Sequence, residues 1–311
     1  MNSFALIGAS GFVAPRHMDA IKKCGGNLIC TFDPHDNIGF IDNYFPEAFF
    51  FTEFERFERF INKQNDENKK IDFLSICSPN YVHDTHIRFG IKNDIDVICE
   101  KPIVLNPWNL KSLIKLNHKS QNKIYNIFQL RLLPKIIELK KNIAENKHTK
   151  YEVNLTYITK RGRWYSNSWK GNINKSGGLV TNIGIHFFDL LIWLFGNVED
   201  VKCFINNPDL VSGNLILKKA NVKWFLSTNK KYLPKNHNTS FRELSVNDKI
   251  IDLSENFINM HYYIYKEILN GNGIQIDEAI PSLDLVYQIR NMVVSKVSND
   301  AHLYLKKDFL L

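Results

Sequence analysis

The sequence predicts an α/β chain in two parts: a doubly wound parallel sheet over residues 1–125, then an α+β domain with a large open, mostly antiparallel sheet over residues 126–311. Three observations carry this prediction. Short apolar runs at 4–7, 28–32, 48–51, 73–77 and 97–99 are separated by turns and helical patterns. Strands alternating with helices build right-handed crossovers and a parallel sheet. From residue 151 the rhythm changes: alternation over 151–159 is followed by strand-like runs at 201–205, 211–217, 222–227 and 242–246 with no helix between them. That is the pattern of an antiparallel sheet. Finally, 311 residues are enough for two separate cores.

Taken in order, Phe4, Ala5, Leu6 and Ile7 form the first strand, and a glycine turn leads to a helix over 14–24. The second strand, 28–32, ends at Asp33 and Pro34. After the third, at 48–51, the run Thr52-Glu53-Phe54-Glu55 fits a capping box that opens a helix. Buried strands at 73–77 and 97–99 are each followed by a helical pattern, and the sheet is complete by about residue 130. Two helices near 256–269 and 277–294 follow the second sheet.

Composition narrows the function. Apolar residues make up 44 % of the chain, as in a soluble globular protein. No uninterrupted apolar window of about 18 residues predicts a membrane span, and the start runs straight into a strand rather than a secretion signal. The 5 cysteines are scattered, with no CxxC pair and no metal-ligand spacing, which fits a reducing cytoplasm and no metal. Residues 1–120 carry 14 Lys/Arg against 15 Asp/Glu, whereas 121–311 carry 26 against 17. A basic second half suits an anionic small substrate, with a solvated lysine-rich surface as the plainer account. No zinc-finger or RNA-binding motif supports nucleic acid.

Gly8-x-x-Gly11-x-x-Ala14 varies the dinucleotide-binding turn by one residue. Small residues let the backbone approach a pyrophosphate, and the helix N-terminus faces its charge. Gly8, Ser10, Gly11, Phe12 and Val13 are therefore cofactor candidates. Asp33 lies 19 residues past Ala14, at the end of the next strand. A carboxylate there accepts from the adenosine ribose diol and repels a 2′-phosphate, which argues for NAD over NADP. A plain turn residue before Pro34 is the competing account.

Ser78, Pro79 and Asn80 follow the fourth strand, at the sheet edge where ligands bind in a doubly wound fold. They should touch the nicotinamide half of the cofactor. Asn80 also suits a helix cap, and His83 reads as a surface position. Glu100-Lys101-Pro102 ends the fifth strand at the same edge. Lys101 can bond a substrate hydroxyl or help to deprotonate it, because desolvation pulls a lysine toward neutrality. Glu100 can orient the lysine or bond the nicotinamide ribose; a surface ion pair is the bland account. Gln129 completes the cofactor candidates.

Asn182, His186 and Asp189 stand at i, i+4 and i+7, on one stripe of a strongly apolar helix. Buried polar groups need partners, so the stripe lines a cavity or forms an internal network. His186 suits acid–base work near neutral pH, and Asp189 is placed to orient it. Gly177, Gly178 and Gly184 allow close backbone approach. The segment 157–170 is the densest anion-recognition candidate. Arg161 and Lys170 suit carboxylate or phosphate, and Tyr157, Trp164 and Trp169 suit stacking on a sugar or base, with Ser168 beside them. A basic exposed loop is the competing account.

These motifs resemble those of the Gfo/Idh/MocA oxidoreductases over nearly the whole chain. Within that family, Ala14-Pro15-Arg16-His17-Met18, Ser75-Ile76-Cys77-Ser78-Pro79-Asn80-Tyr81, Asp96 to Pro102 and Ser168-Trp169-Lys170-Gly171 are similar to the UDP-N-acetylglucosaminuronate 3-dehydrogenase branch, the WlbA/WbpB type. The resemblance implies an N-terminal Rossmann domain and NAD as cofactor. It implies oxidation of the C3 hydroxyl of a UDP-sugar, UDP-N-acetylglucosaminuronic acid, to the 3-keto sugar for surface lipopolysaccharide. It also implies a homotetramer built through the open face of the second sheet, which would otherwise present an apolar patch. Many members carry aspartate where this chain has Asn182. An amide cannot be a general base, so the proton-accepting role shifts to Lys101 or His186, and Asn182 positions substrate. Two rivals remain: a dehydrogenase of the same superfamily acting on a free sugar or cyclitol, and a non-catalytic NAD or sugar sensor. The arginines around 161 count against the first, and Lys101 with His186 against the second.

Overall fold

The structure, a computed structural model, describes residues 1–146, 150–253 and 259–309. The chain divides into two compact units, Met1–Gln129 with Ile258–Ile280, and Leu130–Phe257 with Pro281–Leu311. Against an expected boundary at residue 125, residues 259–280 group with the first of these units.

The first unit holds β1 (Ser3–Ile7), α1 (Ala14–Lys23), β2 (Asn27–Phe32), β3 (Phe49–Phe51), α2 (Phe54–Asp66), β4 (Phe73–Ile76), α3 (His83–Lys92), β5 (Asp96–Cys99), α4 (Pro107–Asn117) and β6 (Ile124–Asn126). The strands lie in the order β3-β2-β1-β4-β5-β6, all parallel. This is the doubly wound order that places ligands at the carboxyl edge. Phe4, Ala5, Leu6 and Ile7 are fully buried because helices cover both faces of a parallel sheet. The register aligns Ile7 with Phe32 and Ile76, and Cys99 with Asn126. Gly8, Asp33, Cys77 and Glu100 are therefore the first residues past one common edge. The capping box is not formed: Glu53 is the N-cap of α2 and makes no side-chain cap bond.

The second unit begins with α5 (Pro134–Glu145) and β7 (Tyr151–Thr159). Two short helices follow, α6 (Arg163–Asn167) and α7 (Ile173–Ser176), and then a π-turn at Val180–Gly184 runs into α8 (Ile185–Phe195). Next come β8 (Val198–Asn207), β9 (Leu210–Leu217), β10 (Ala220–Ser227), β11 (Ser240–Val246) and β12 (Lys249–Asp252). The sheet order is β12-β11-β7-β10-β9-β8. Only the β7–β10 pair is parallel. Trp224 packs edge-on to Phe188 of α8, at 5.2 Å between ring centroids. The run Ile173–Phe195 is long and apolar enough to cross a membrane, but its most apolar window is 78 % buried, as in a core helix.

Residues 259–280 carry α9 (Met260–Leu269), which lies on α1, and α10 (Ile280–Asn291) follows. The predicted start of the first of these helices, near 256, lies outside the described residues. α11 (Leu303–Phe309) helps to cover the outer face of the second sheet, where Leu305 joins Ile158, Phe204 and Phe225. The rest of that face carries Glu152, Lys202, Asn214, Asn221 and Lys223, with the exposed Ile216 and Ile250 among them.

Candidate active site

Gly8 makes the cofactor edge possible. It sits at φ +89°, and a Cβ there would lie 2.5 Å from the Ser78 nitrogen and 2.6 Å from the Cys77 carbonyl carbon. Only glycine allows the first turn to press against the loop after β4. Asp33 holds the same turn from the other side. Its Oδ2 accepts from the Ser10 N–H at 3.0 Å, and its Oδ1 from the His35 N–H at 2.9 Å. Phe12 is exposed beneath the Arg16 guanidinium. Val13 is the N-cap of α1, whose first turn starts at Ala14 and Pro15.

After β4, the Ser78 hydroxyl meets His86 Nδ1 at 2.9 Å. Pro79 precedes a 3₁₀ turn at Asn80–Val82, and Val82 rather than Asn80 caps α3. His83 is not on the surface. It is fully buried, and its ring nitrogens lie 2.8 Å from both the Ser78 and Pro102 carbonyl oxygens, tying the loops after β4 and β5 together. Burial lowers its pKa, against the raising effect of the two carbonyl contacts.

Glu100 is buried rather than paired on the surface. Its Oε1 accepts from His17 Nε2 at 3.2 Å and from His261 Nε2 at 3.0 Å, and its Oε2 from the Lys101 backbone N–H at 3.2 Å. His17 Nδ1 lies 2.7 Å from the Tyr265 hydroxyl, which lies 2.6 Å from the Ser75 hydroxyl. Burial pushes the Glu100 carboxyl up, but the imidazole N–H donors hold it well below the usual carboxylate range. Burial lowers the pKa of His17, so its neutral Nε2–H tautomer fits these contacts. His17, Glu100 and His261 bring metal-type ligand atoms within 4.8 Å of one another. The carboxylate is already satisfied by N–H donors, so the geometry requires no cation. Lys101 is half-buried, and its peptide bond to Pro102 is cis. Gln129 is buried, and its Oε1 has no partner among the described residues.

In the second unit, Asn182 lies within the π-turn rather than on a regular α-helix. A π-turn inserts one residue per turn, so the predicted straight stripe through Asn182, His186 and Asp189 is locally rewound. Close packing explains the turn's position: a Cβ on Gly184 would meet Leu226 and Phe188 at 2.9 Å. Asn182 Nδ2 donates to the Tyr165 hydroxyl at 2.9 Å. Asp189 is buried and held by Arg131, with Nε to Oδ2 at 2.8 Å and Nη2 to Oδ1 at 2.6 Å. Asp189 therefore belongs to a buried bidentate ion pair that braces α8. His186 is half-buried one turn earlier on that helix.

Beside the π-turn opens a cavity of about 870 Å³. Its cations are Lys160, Arg161, Arg163, Lys170, Lys230 and Arg290, against one carboxylate, Asp209. Tyr165 and Gly177 also line it. The Lys170 ammonium lies 4.4 Å from the Trp169 ring centroid and 5.7 Å from that of Trp164, and burial lowers its pKa. Ser168 serves the turn, its hydroxyl accepting from the Lys170 N–H. Tyr157 is not part of the cavity lining; it packs on Phe187 at 4.9 Å.

The chain matches two parts of one family. The oxidoreductase family's NAD-binding Rossmann fold matches residues 2–128, and its C-terminal alpha/beta domain matches residues 140–214. The chain belongs to the Gfo/Idh/MocA oxidoreductases. Among solved structures it is similar to the WlbA (WbpB) dehydrogenase from Thermus thermophilus in complex with NAD and α-ketoglutarate, at 39 % identity and TM-score 0.94 over 97 % of this chain and 99 % of that one. The complex of the same enzyme with NAD and UDP-GlcNAcA gives 38 %, 0.93 and the same coverage. A curated relative, the putative oxidoreductase YteT of Bacillus subtilis, is 30 % identical over 128 residues, 39 % of this chain and 30 % of its own length. Inositol 2-dehydrogenase of Rhizobium meliloti is 29 % identical over 126 residues, 40 % and 37 % of the two lengths. The chain thus spans well under half the length of these curated relatives.

For this Gfo/Idh/MocA oxidoreductase the residues present fit a dinucleotide. The cradle at Gly8 excludes any Cβ, and Gln129 presents an unmet buried acceptor past the end of β6. His261 and Arg131 were not among the residues singled out from the sequence, and His17 and Tyr165 stood there only inside longer motifs, with no role of their own. Arg131 carried a signal, being the only charge in the run from Ile124 to Leu133. His261 carried none, because nothing in sequence links it to Glu100.

Proposed function

We propose that this chain oxidises the C3 hydroxyl of UDP-N-acetylglucosaminuronic acid to a ketone, with NAD as oxidant, in the biosynthesis of a surface lipopolysaccharide. The single observation that carries the reading is 38 % identity over 97 % of the chain to a dehydrogenase solved with NAD and UDP-GlcNAcA. The cation-rich cavity supports it, because a uronate and a diphosphate both need such partners and a free sugar or cyclitol needs neither.

NAD, when bound, supplies the acceptor for the hydride that leaves C3. The glycine turn would receive the pyrophosphate on backbone N–H groups, and Asp33 would select the unphosphorylated ribose. Lys101 or His186 takes the hydroxyl proton as the C3–O bond becomes a carbonyl. Asn182, fixed by Tyr165, orients the sugar without taking a proton. Arg161 and Lys170 hold anionic groups of the substrate.

The same proposal places the enzyme in the cytoplasm as a homotetramer, which light scattering of the purified protein tests. The activity test is incubation with NAD and a panel of UDP-sugars, read by mass spectrometry. A loss of two hydrogens from the uronate supports the reading. Oxidation of free sugars or cyclitols alone rejects the nucleotide-sugar assignment.

A further inference from the structure

Two histidines from different helices donate to one carboxylate oxygen beneath the Glu100-Lys101-Pro102 corner. His17 comes from α1 and His261 from α9, and their rings meet edge to face at 4.8 Å. Both are buried, as is Glu100. Stability does not explain the arrangement: His261 Nδ1 is buried without a partner among the described residues, and such an atom costs stability. Residues of similar volume but no polarity would pack the same space at less cost. What the cluster delivers is a fixed negative charge next to Lys101, with Oε2 gripping the Lys101 backbone N–H at 3.2 Å.

We infer that His17 and His261 are positioning residues for Lys101: by donating to Glu100 they keep it ionised, and the ionised carboxylate anchors Lys101 and sets its proton affinity. The inference rests on the reading of Lys101 as the proton acceptor. The other groups facing Glu100 do not compete for this role. Burial raises Cys77, Cys99 and Tyr265, which therefore stay uncharged, and His83 and His17 are held neutral by burial, with Arg16 acting in the same direction on His17. Glu100 is thus the anion of the group. Loss of either donor leaves a buried carboxylate short of a partner, and it takes up a proton. Lys101 then loses the negative charge held on its own backbone N–H, its ammonium is destabilised, and its pKa falls.

The experiment compares His261→Leu, which removes the donor, with His261→Gln, which keeps an N–H. The pH dependence of Lys101 acylation by an amine-reactive reagent is read on the Lys101 peptide by mass spectrometry. His261→Leu should lower the labelling midpoint by about one pH unit and cut kcat about tenfold with KM within about threefold. His261→Gln should restore most of both. Should His261→Leu fail to fold, Glu100→Gln removes the charge with little change in shape and is read the same way. A folded His261→Leu or Glu100→Gln with the wild-type labelling midpoint overturns the inference, even if its melting temperature falls. The labelling needs no substrate. A shifted midpoint in a protein that oxidises no UDP-sugar would therefore keep the inference and reject only the substrate reading.

Discussion

In the proposed function Asp33 couples a cofactor preference to the loop conformation that its two hydrogen bonds hold. Its carboxylate already accepts from the Ser10 and His35 N–H groups, which fix its position at the cofactor edge. NAD should bind at least about tenfold more tightly than NADP, about 1.4 kcal/mol. Asp33→Ala should narrow that gap and also weaken NAD itself, because the Ser10 N–H loses its acceptor; equal affinities in wild-type calorimetry would remove the selectivity role. Lys101→Ala and His186→Ala should each lower turnover by about a hundredfold or more, the usual scale for acid–base groups, while calorimetric NAD affinity survives. Near-normal turnover in both would sink the assignment, and an effect in only one identifies the base. Arg161 lines the cationic cavity and stacks on the Tyr165 ring at 5.8 Å. If it pairs with the uronate, Arg161→Ala should cost the uronate about a hundredfold in kcat/KM and leave UDP-N-acetylglucosamine nearly unchanged. Equal losses on both would place it on the diphosphate instead.

At the scale of elements, the glycine turn shows how a sequence pattern becomes a binding edge. Gly8→Ala would drive a methyl into the Ser78 nitrogen at 2.5 Å and also strain a left-handed backbone at φ +89°. Two such costs should total a few kcal/mol and abolish measurable NAD binding, which a thermal-shift titration with NAD reads directly. That turn was legible in sequence because its requirement is local: a strand, a fixed glycine spacing and a helix. The parallel sheet was equally legible, since apolar runs without alternation, separated by helical patterns, specify a sheet buried on both faces. Two local signals misled. Thr52-Glu53-Phe54-Glu55 has the right residue types for a capping box, yet the helix starts one residue late and Glu53 takes the cap position. Asn182, His186 and Asp189 have α-helical spacing, yet the approach of Gly184 to Leu226 lies within a π-turn that spacing alone cannot show. The polar stripe was correctly read as buried; its partners, Tyr165 and Arg131, come from other elements.

For the molecule as a whole, what stayed hidden in the sequence was long-range. Residues 259–280 return to the first unit and bring His261 and Tyr265 to Glu100 and Ser75, a meeting across more than 150 positions that no window of sequence encodes. Histidine also sets how the whole molecule responds to acid. His302 is buried against Phe225 and Tyr304, and its pKa is pushed down to about 4, by burial first and then by Lys223 and Lys306. His86 is likewise pushed to about 4, by burial and then His83. The unfolded chain returns each to 6.5, so between pH 6.5 and 4 the unfolded state binds more protons than the folded one. The contribution of these two imidazoles to folding stability is therefore greatest above pH 6.5 and falls as the pH drops toward 4. A shift of this size is worth up to about 3 kcal/mol for the more buried His302. Melting temperatures measured from pH 7.5 to 4 should decline with this sign. His302→Gln, which keeps a polar group for Thr156 and cannot titrate, should flatten the decline while lowering the plateau slightly. A melting temperature that rises on acidification, or a His302→Gln profile as steep as the wild type, would show that the imidazole is not held neutral in the fold.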